Sequence, residues 1–247
     1  MKLVILAAGE ASQLYPLTLT VPKPLLEVAG RTMIDRVLDC FSSIEQIDEI
    51  LVVSDAKCFD QFEAWATARR SESKRPITVI NDGVTDQTAP LGAIGDLGFA
   101  VKRRELDDDL IVVGGDNLFS QALNGFGELC LERSAPILGV YDVGRLESTK
   151  LYSEVHTDMS GQVTSFEEKP QSPSTTMVGI ALYFYPKTTV PTVLSYLESG
   201  HSPEQPGRLI QWMYPRMPVY TWSVPGIWYD IGSKERLEEA NRIFQNL

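Results

Sequence analysis

Five short apolar runs, at residues 3–6, 50–53, 77–80, 110–113 and 137–140, constrain this chain more than any other feature. Each is nearly continuous in apolar residues rather than alternating, the pattern of a strand covered on both faces. Longer stretches with helical spacing lie between them. Met33, Ile34, Val37, Leu38 and Phe41 recur at three- and four-residue intervals behind Thr32, which is suited to cap a helix. Residues 59–68, 91–101 and 118–131 supply three more helices. Strands alternating with helices imply an α/β fold with a mixed, mostly parallel central sheet. Beyond about residue 145 the pattern loosens, with strands at 163–166, 180–185 and 219–224 and a helix at 190–197. A last helix covers 233–244, with Ser233 as its cap and Leu237, Ala240, Ile243 and Phe244 on one face. No internal repeat, low-complexity tract or linker interrupts the 247 residues, so a single domain is expected.

Charge and composition remove several functional classes. A net charge of −11 argues against a nucleic-acid partner, which needs a basic face to neutralise phosphates. No run of 18 apolar residues offers a membrane span, and the first residues read as a strand rather than a secretion signal. Cys40, Cys58 and Cys130 are odd in number and far apart, as suits a reducing cytoplasm. Two histidines, His156 and His201, make a histidine-based zinc site a poor expectation. An acidic chain still handles small phosphate compounds if it has backbone N–H groups, a few placed cations and a divalent ion held by carboxylates.

All three ingredients can be sought in the N-terminal stretch and downstream. The first strand runs into Ala7, Ala8, Gly9, Glu10, Ala11 and Ser12, small residues that let backbone amides approach phosphate oxygens. Only one glycine is present, so the dinucleotide-binding G-x-G-x-x-G is absent, and no Gly-Lys-Ser/Thr closes a Walker-type loop. Lys23 stands between Pro22 and Pro24, on a backbone stiffened from both sides. A solvated surface lysine is the plain alternative. Asp116 follows two glycines at the end of the fourth apolar run, where open α/β sheets bind ligands, although a turn aspartate fits as well. Asp230, in Trp228-Tyr229-Asp230-Ile231-Gly232-Ser233, is either a second carboxylate for a cation or part of a helix cap.

Residues 6–26 resemble the signature of sugar-phosphate nucleotidyltransferases, L-A-A-G-x-G-T/S-R-L-x-P-L-T followed by P-K-P-L-L. Further matches are Gly115-Asp116-Asn117, Phe166-Glu167-Glu168-Lys169-Pro170, Val178-Gly179 and the Trp228–Ser233 motif. Pro90-Leu91-Gly92-Ala93 resembles the family's base-side motif, with Asp86 and Gln87 as weaker candidates for reading the base. The resemblance implies a Rossmann-like three-layer fold and transfer of a nucleotidyl group from a nucleoside triphosphate to a sugar 1-phosphate. It implies Lys23, Gln13 and Asp116 as catalytic positions, and Leu6, Ala7, Ala8, Gly9, Glu10, Ala11, Ser12 and Gly92 as nucleotide contacts. Glu168, Lys169 and Gly179 fall to the sugar phosphate, and Asp116 and Asp230 to Mg²⁺. A nucleotide-binding part over about 1–135 and a sugar-phosphate part over about 136–247 follow. Glu168 and Lys169 favour a sugar acceptor over a phosphocholine-type one. The short stretch after Asp230 speaks against a fused acetyltransferase helix.

The base-side motif departs at Ile94 and Asp96, and two positions of residues 6–26 depart from the signature. Ala11 replaces the second glycine, and its Cβ would strain the loop if that position needs φ above zero. Gln13 replaces the arginine that steadies the β- and γ-phosphates, and glutamine is neutral with two donors. Either the enzyme is weakened, or another group such as Arg31 does that work, or the chain is a binding or regulatory protein on the same fold. Base, sugar and oligomeric state, a homo-oligomer included, stay open.

Overall fold

The computed structural model describes residues 1–9, 11–85 and 89–247. In chain order the elements are β1 (Lys2–Leu6), β2 (Glu27–Val28), β3 (Arg31–Thr32), α1 (Met33–Phe41), β4 (Glu49–Ser54), α2 (Phe59–Arg70) and β5 (Ile77–Asn81). There follow α3 (Ala93–Arg104), β6 (Leu110–Gly114), β7 (Asn117–Phe119), α4 (Asn124–Glu132), β8 (Ile137–Asp142) and α5 (Leu146–Thr149). Next come β9 (Ser153–Thr157), β10 (Val163–Glu168), β11 (Met177–Tyr185), α6 (Val190–Glu198) and α7 (Gly207–Met213). The chain closes with β12 (Tyr220–Ser223), β13 (Trp228–Asp230) and α8 (Lys234–Phe244). These residues form two compact units, each assembled from separate stretches of chain.

The first unit comprises Met1–Leu91, Val113–Asn124 and Pro225–Leu247. Its strands β1, β4 and β5 pair in parallel, with Val4 opposite Leu51 and Val52 opposite Val79. The end of β6 lies beside β1, where the amide of Gly115 donates to the carbonyl of Leu6 at 2.9 Å. Leu3, Val4, Ile5, Leu51, Val52 and Val53 are fully buried, which explains why these runs carry no polar alternation. Thr32 caps α1 by accepting from the amide of Asp35 at 3.3 Å, and the predicted face of that helix is buried. A second buried cluster joins Leu14, Val28, Met33 and Leu118 to Tyr229, Ile231, Leu237, Ala240 and Phe244, so α8 closes over the loop that follows β1.

The second unit comprises Gly92–Val112 and Gly125–Val224. Here β11 pairs antiparallel with β8 and β9, β9 pairs antiparallel with β10, and β12 runs parallel to β8. The chain is thus the α/β, Rossmann-like arrangement with a mixed sheet and flanking helices that the sequence implies. Helix α3 packs on α6 with Gly98 at the crossing, where a Cβ would sit 2.4 Å from Leu197 Cδ1.

One expected helix is wrong at its start. Residues 118–131 do not form one helix, because Asn117–Phe119 is strand β7, paired antiparallel with β13. The helix begins only at Asn124. Leu118 and Phe119 are apolar enough for either state, and their partner lies far along the chain, where local periodicity carries no trace of it. Strand β13 also escaped the sequence pattern for that reason, and β9, which pairs with the next strand β10, escaped it because its residues do not form an apolar run. Among the described residues no helix is long and apolar enough to cross a membrane, and the three cysteines are free thiols.

Candidate active site

The loop after β1 is held open by its own backbone bonds. The amide of Ala7 donates to Val53 O at 2.9 Å, continuing the β1–β4 ladder by one step. Gly9 then adopts φ of +129°, with no heavy atom within 4 Å of where a Cβ would lie. Ala11 sits in the left-handed region at φ 47°, ψ 47°, so the strain foreseen for an alanine here is present. Its carbonyl is held twice, by the amide of Leu14 at 3.0 Å and by Thr18 Oγ1 at 2.9 Å. A one-turn 3₁₀ helix, Ser12–Leu14, follows and drives Leu14 into the core. The loop walls a cavity of about 210 Å³ lined by Leu6, Ala7, Ala8, Gly9, Ala11, Gln13, Lys23, Pro24 and Asp116.

Eight of the expected site residues are therefore brought together by the first unit alone. Ser12 stays in the turn without lining the cavity. Glu10, Asp86 and Gln87 lie outside the described residues. Arg31 is not a cavity residue: it sits in β3 and pairs with Asp39 at 2.6 Å, so it does not replace the missing arginine.

Lys23 opens a single turn behind the extended Pro22, and its ammonium meets Asp116 Oδ2 at 2.5 Å. Burial alone would lower its pKa. The charges of Asp116 and Asp230, with the hydrogen bond to Asp116, outweigh burial and the opposing charge of Arg236, and raise the pKa above its ordinary value. Asp116 is its mirror image. Burial favours the neutral acid, but Lys23 and the Asn117 hydrogen bond hold the carboxyl below its ordinary range. Both groups stay charged around neutral pH. Gly115 permits the approach, since a Cβ there would lie 3.1 Å from Pro24 Cγ and 3.2 Å from Ile5 Cγ2.

A short ribbon brings in the second carboxylate. Strands β7 and β13 pair with Asp230 opposite Asn117, so two motifs far apart in sequence meet beside Asp116. The side chain of Asn117 links them: its amide donates to Asp116 Oδ1 at 3.0 Å, and its carbonyl accepts from Trp228 Nε1 at 2.7 Å. Thus the Trp of the C-terminal motif orients the Asn, and the Asn orients the Asp. The cap of α8 is Ser233, which accepts from the amide of Arg236, so capping does not explain Asp230.

The second unit carries the remaining candidates. Glu168 ends β10 opposite Ser153 of β9, and Gly179 of β11 lies opposite the same Ser153. The Ser153 hydroxyl accepts from the Gly179 amide at 3.1 Å, and a Cβ on Gly179 would fall 2.7 Å from that oxygen. Close packing is therefore one reason for glycine there. Burial raises the pKa of Glu168 to about 7, against the charges of Lys169 and Arg208. Gly207, which sequence reading passed over, makes room for it, because a Cβ there would overlap Glu168 Oε2. Lys169 is exposed and sits at φ 52°, its amide donating to Tyr152 O at 2.7 Å. Gly92 caps α3 at φ 77° against the backbone of Pro203 and Glu204, which accept from the amides of Ile94 and Ala93.

Residues 2–246 match the nucleotidyl transferase family model. The chain belongs to that family. It is 25% identical over 239 residues to a UTP–glucose-1-phosphate uridylyltransferase of Synechocystis sp., covering 94% of this chain and 60% of the relative. It is 24% identical over 251 residues to the mannose-1-phosphate guanylyltransferase catalytic subunit beta of Dictyostelium discoideum, covering 100% of this chain and 65% of that one. A crystal structure from Bacillus anthracis, provisionally assigned as a glucose-1-phosphate thymidylyltransferase and solved with sucrose, superposes with a TM-score of 0.83. That fold likeness covers 100% of this chain and 96% of the other at 20% identity. The chain spans about half to two thirds of the length of the curated relatives it matches.

Three outcomes follow for this family member. Ala11→Gly relieves a left-handed backbone and stabilises by about 0.5–1 kcal/mol after the extra chain entropy of glycine, read as a small rise in Tm. Trp228→Phe leaves the buried Asn117 carbonyl without its donor and destabilises by about 1–3 kcal/mol in thermal unfolding. Glu168 has a folded-state pKa of about 7 against an ordinary 4.5, so the folded chain holds a proton that the unfolded chain releases between those values. Stability therefore falls as pH rises through that window. Glu168→Gln removes the fall, so the Tm of the variant exceeds that of the parent above pH 7 and the two converge below pH 4.5.

Proposed function

We propose that this protein transfers a nucleotidyl group from a nucleoside triphosphate to a sugar 1-phosphate, giving an NDP-sugar and pyrophosphate. The observation that carries this reading is the cavity in which Leu6, Ala7, Ala8, Gly9 and Ala11 converge with Lys23 and Asp116, with Asp230 drawn up by the β7–β13 ribbon. An oxygen of the sugar phosphate attacks the α-phosphorus in line as pyrophosphate leaves. That oxygen is already anionic, so no general base is needed, and the lack of a histidine in the cavity wall is no obstacle. The loop amides take phosphate oxygens, and Lys23 offsets negative charge at a fixed place. Glu168 accepts from sugar hydroxyls, Lys169 pairs with the acceptor phosphate, and Gly92 belongs to the base side.

Mg²⁺ fits the donor set. Asp116 and Asp230 both act on the Lys23 ammonium, so two carboxylates share one locality. No group of three or more potential ligands occurs among the described residues. Two carboxylates with substrate phosphates are the usual Mg²⁺ arrangement. When bound, such an ion polarises phosphoryl oxygens and offsets the charge that develops on them. Free thiols at all three cysteines support a reducing, cytoplasmic setting, and the acidic surface disfavours nucleic acid.

Gln13 in the cavity wall favours a second reading, a catalytically impaired protein that binds sugar nucleotides in a regulatory role. Pyrophosphate release separates the two. Using Mg²⁺ with UTP, GTP, dTTP, ATP and CTP against glucose and mannose 1-phosphates, the enzyme reading expects one pair to turn over well above the rest. Binding of an NDP-sugar by calorimetry with no release from any pair would instead establish the regulatory reading.

A further inference from the structure

The phosphate-facing loop has no positive charge of its own. Residues 6–22 contain neither lysine nor arginine, and Lys23, the cation in the cavity wall, is already bound to Asp116. A nucleoside triphosphate brings several negative charges to that wall, more than one paired ammonium can offset. The first unit holds another cation close by. Arg236, in the first turn of α8, donates from Nε to the carbonyl of Asp230 at 2.7 Å. Its guanidinium lies over the Tyr229 ring, with Cζ 4.4 Å from the centroid.

Those contacts fix the plane of the fork while leaving its outer edge unengaged. Among the described residues, the two terminal nitrogens of Arg236 make no hydrogen bond or ion pair. The helix that carries Arg236 packs against the loop that follows β1. Leu14, next to Gln13, is buried in one cluster with Tyr229 and Leu237, the ring beneath Arg236 and its chain neighbour. Its charge is felt at the Lys23 ammonium.

We propose that Arg236 is the second cation for the polyphosphate, its free edge taking phosphate oxygens of the nucleoside triphosphate and of the departing pyrophosphate. The assignment rests on the nucleotidyl-transfer reading above. It gives Arg236 a phosphate contact that a purely local strap between α8 and β13 would lack. A planar fork held by one edge suits phosphate better than a flexible ammonium would.

The test uses the whole chain and two readouts: calorimetric affinity for inorganic tripolyphosphate, and kcat/KM for the triphosphate in pyrophosphate release with Mg²⁺. Arg236→Gln keeps a donor for the Asp230 carbonyl but removes the charge. It is expected to weaken both about 10- to 100-fold while thermal unfolding shows the fold intact. Gln13→Arg, which supplies a cation from the loop side, is expected to restore most of that loss in the Arg236→Gln background. A strap-only role predicts a loss that Gln13→Arg leaves unrepaired, and that result overturns the proposal, as does an Arg236→Gln variant within about twofold of the parent. Should Arg236→Gln fail to fold, Arg236→Lys takes its place. A loss of at least about threefold with Lys, repaired by Gln13→Arg, supports the assignment, and a smaller or unrepaired loss overturns it. A parent that neither binds tripolyphosphate nor releases pyrophosphate defeats the nucleotidyl-transfer reading and this assignment together. An active parent indifferent to residue 236 defeats this assignment alone.

Discussion

The Lys23–Asp116 ion pair is the contact around which the first unit's candidate site is arranged. Its ammonium is only 15% exposed and its carboxylate 29%, so neither charge is carried freely by water. Removing one partner from a pair of this kind leaves the other partly desolvated and uncompensated, which is costly. Other features serve to bring the two together. Pro22 and Pro24 stiffen the approach of the lysine, Gly115 lets Pro24 close on β6, and Asn117 fixes the carboxylate from its far side.

That arrangement also explains why the C-terminal motif contains a tryptophan as well as an aspartate. Trp228 donates to Asn117, Tyr229 packs in the cluster shared with Leu14 and Leu237, and Asp230 faces Asn117 across the ribbon. Sequence motifs at opposite ends of the chain thus act as one hydrogen-bonded assembly. In such networks each member restrains the next, so the electrostatics of the site depend on residues that do not line the cavity themselves. Arg236 extends the same logic by one turn of helix, since its carbonyl anchor belongs to Asp230.

Ala11 shows where local preference and function conflict. A left-handed backbone suits glycine, yet alanine occupies it, held by the Leu14 amide and the Thr18 hydroxyl on its own carbonyl. The surrounding bonds impose the conformation that the side chain resists, a pattern common where a loop must present its amides to a ligand. Gln13 is a departure of a different kind, since its backbone is ordinary and only its charge is missing.

Much of this molecule was legible in the sequence. Buried parallel strands announce themselves as unbroken apolar runs, so β1, β4, β5, β6 and β8 could be read with few errors at their ends. The caps of α1 and α8 were equally readable, because Thr32 and Ser233 act on amides three residues away. Resemblance to the family's motifs also singled out Lys23 and the two aspartates as candidates. Tertiary structure decided what depends on distant partners. Only the β7–β13 pairing turned Leu118 and Phe119 from an expected helix into a strand. Only packing distinguished Arg31, tied to Asp39, from Arg236, anchored beside Asp230 with its fork open. Sequence records residue types and near-neighbour spacing, and those suffice for strands, caps and motifs. Which charges share a site is set by contacts such as Lys23–Asp116 and Asn117–Trp228, 93 and 111 positions apart, and that information exists only once the chain has folded.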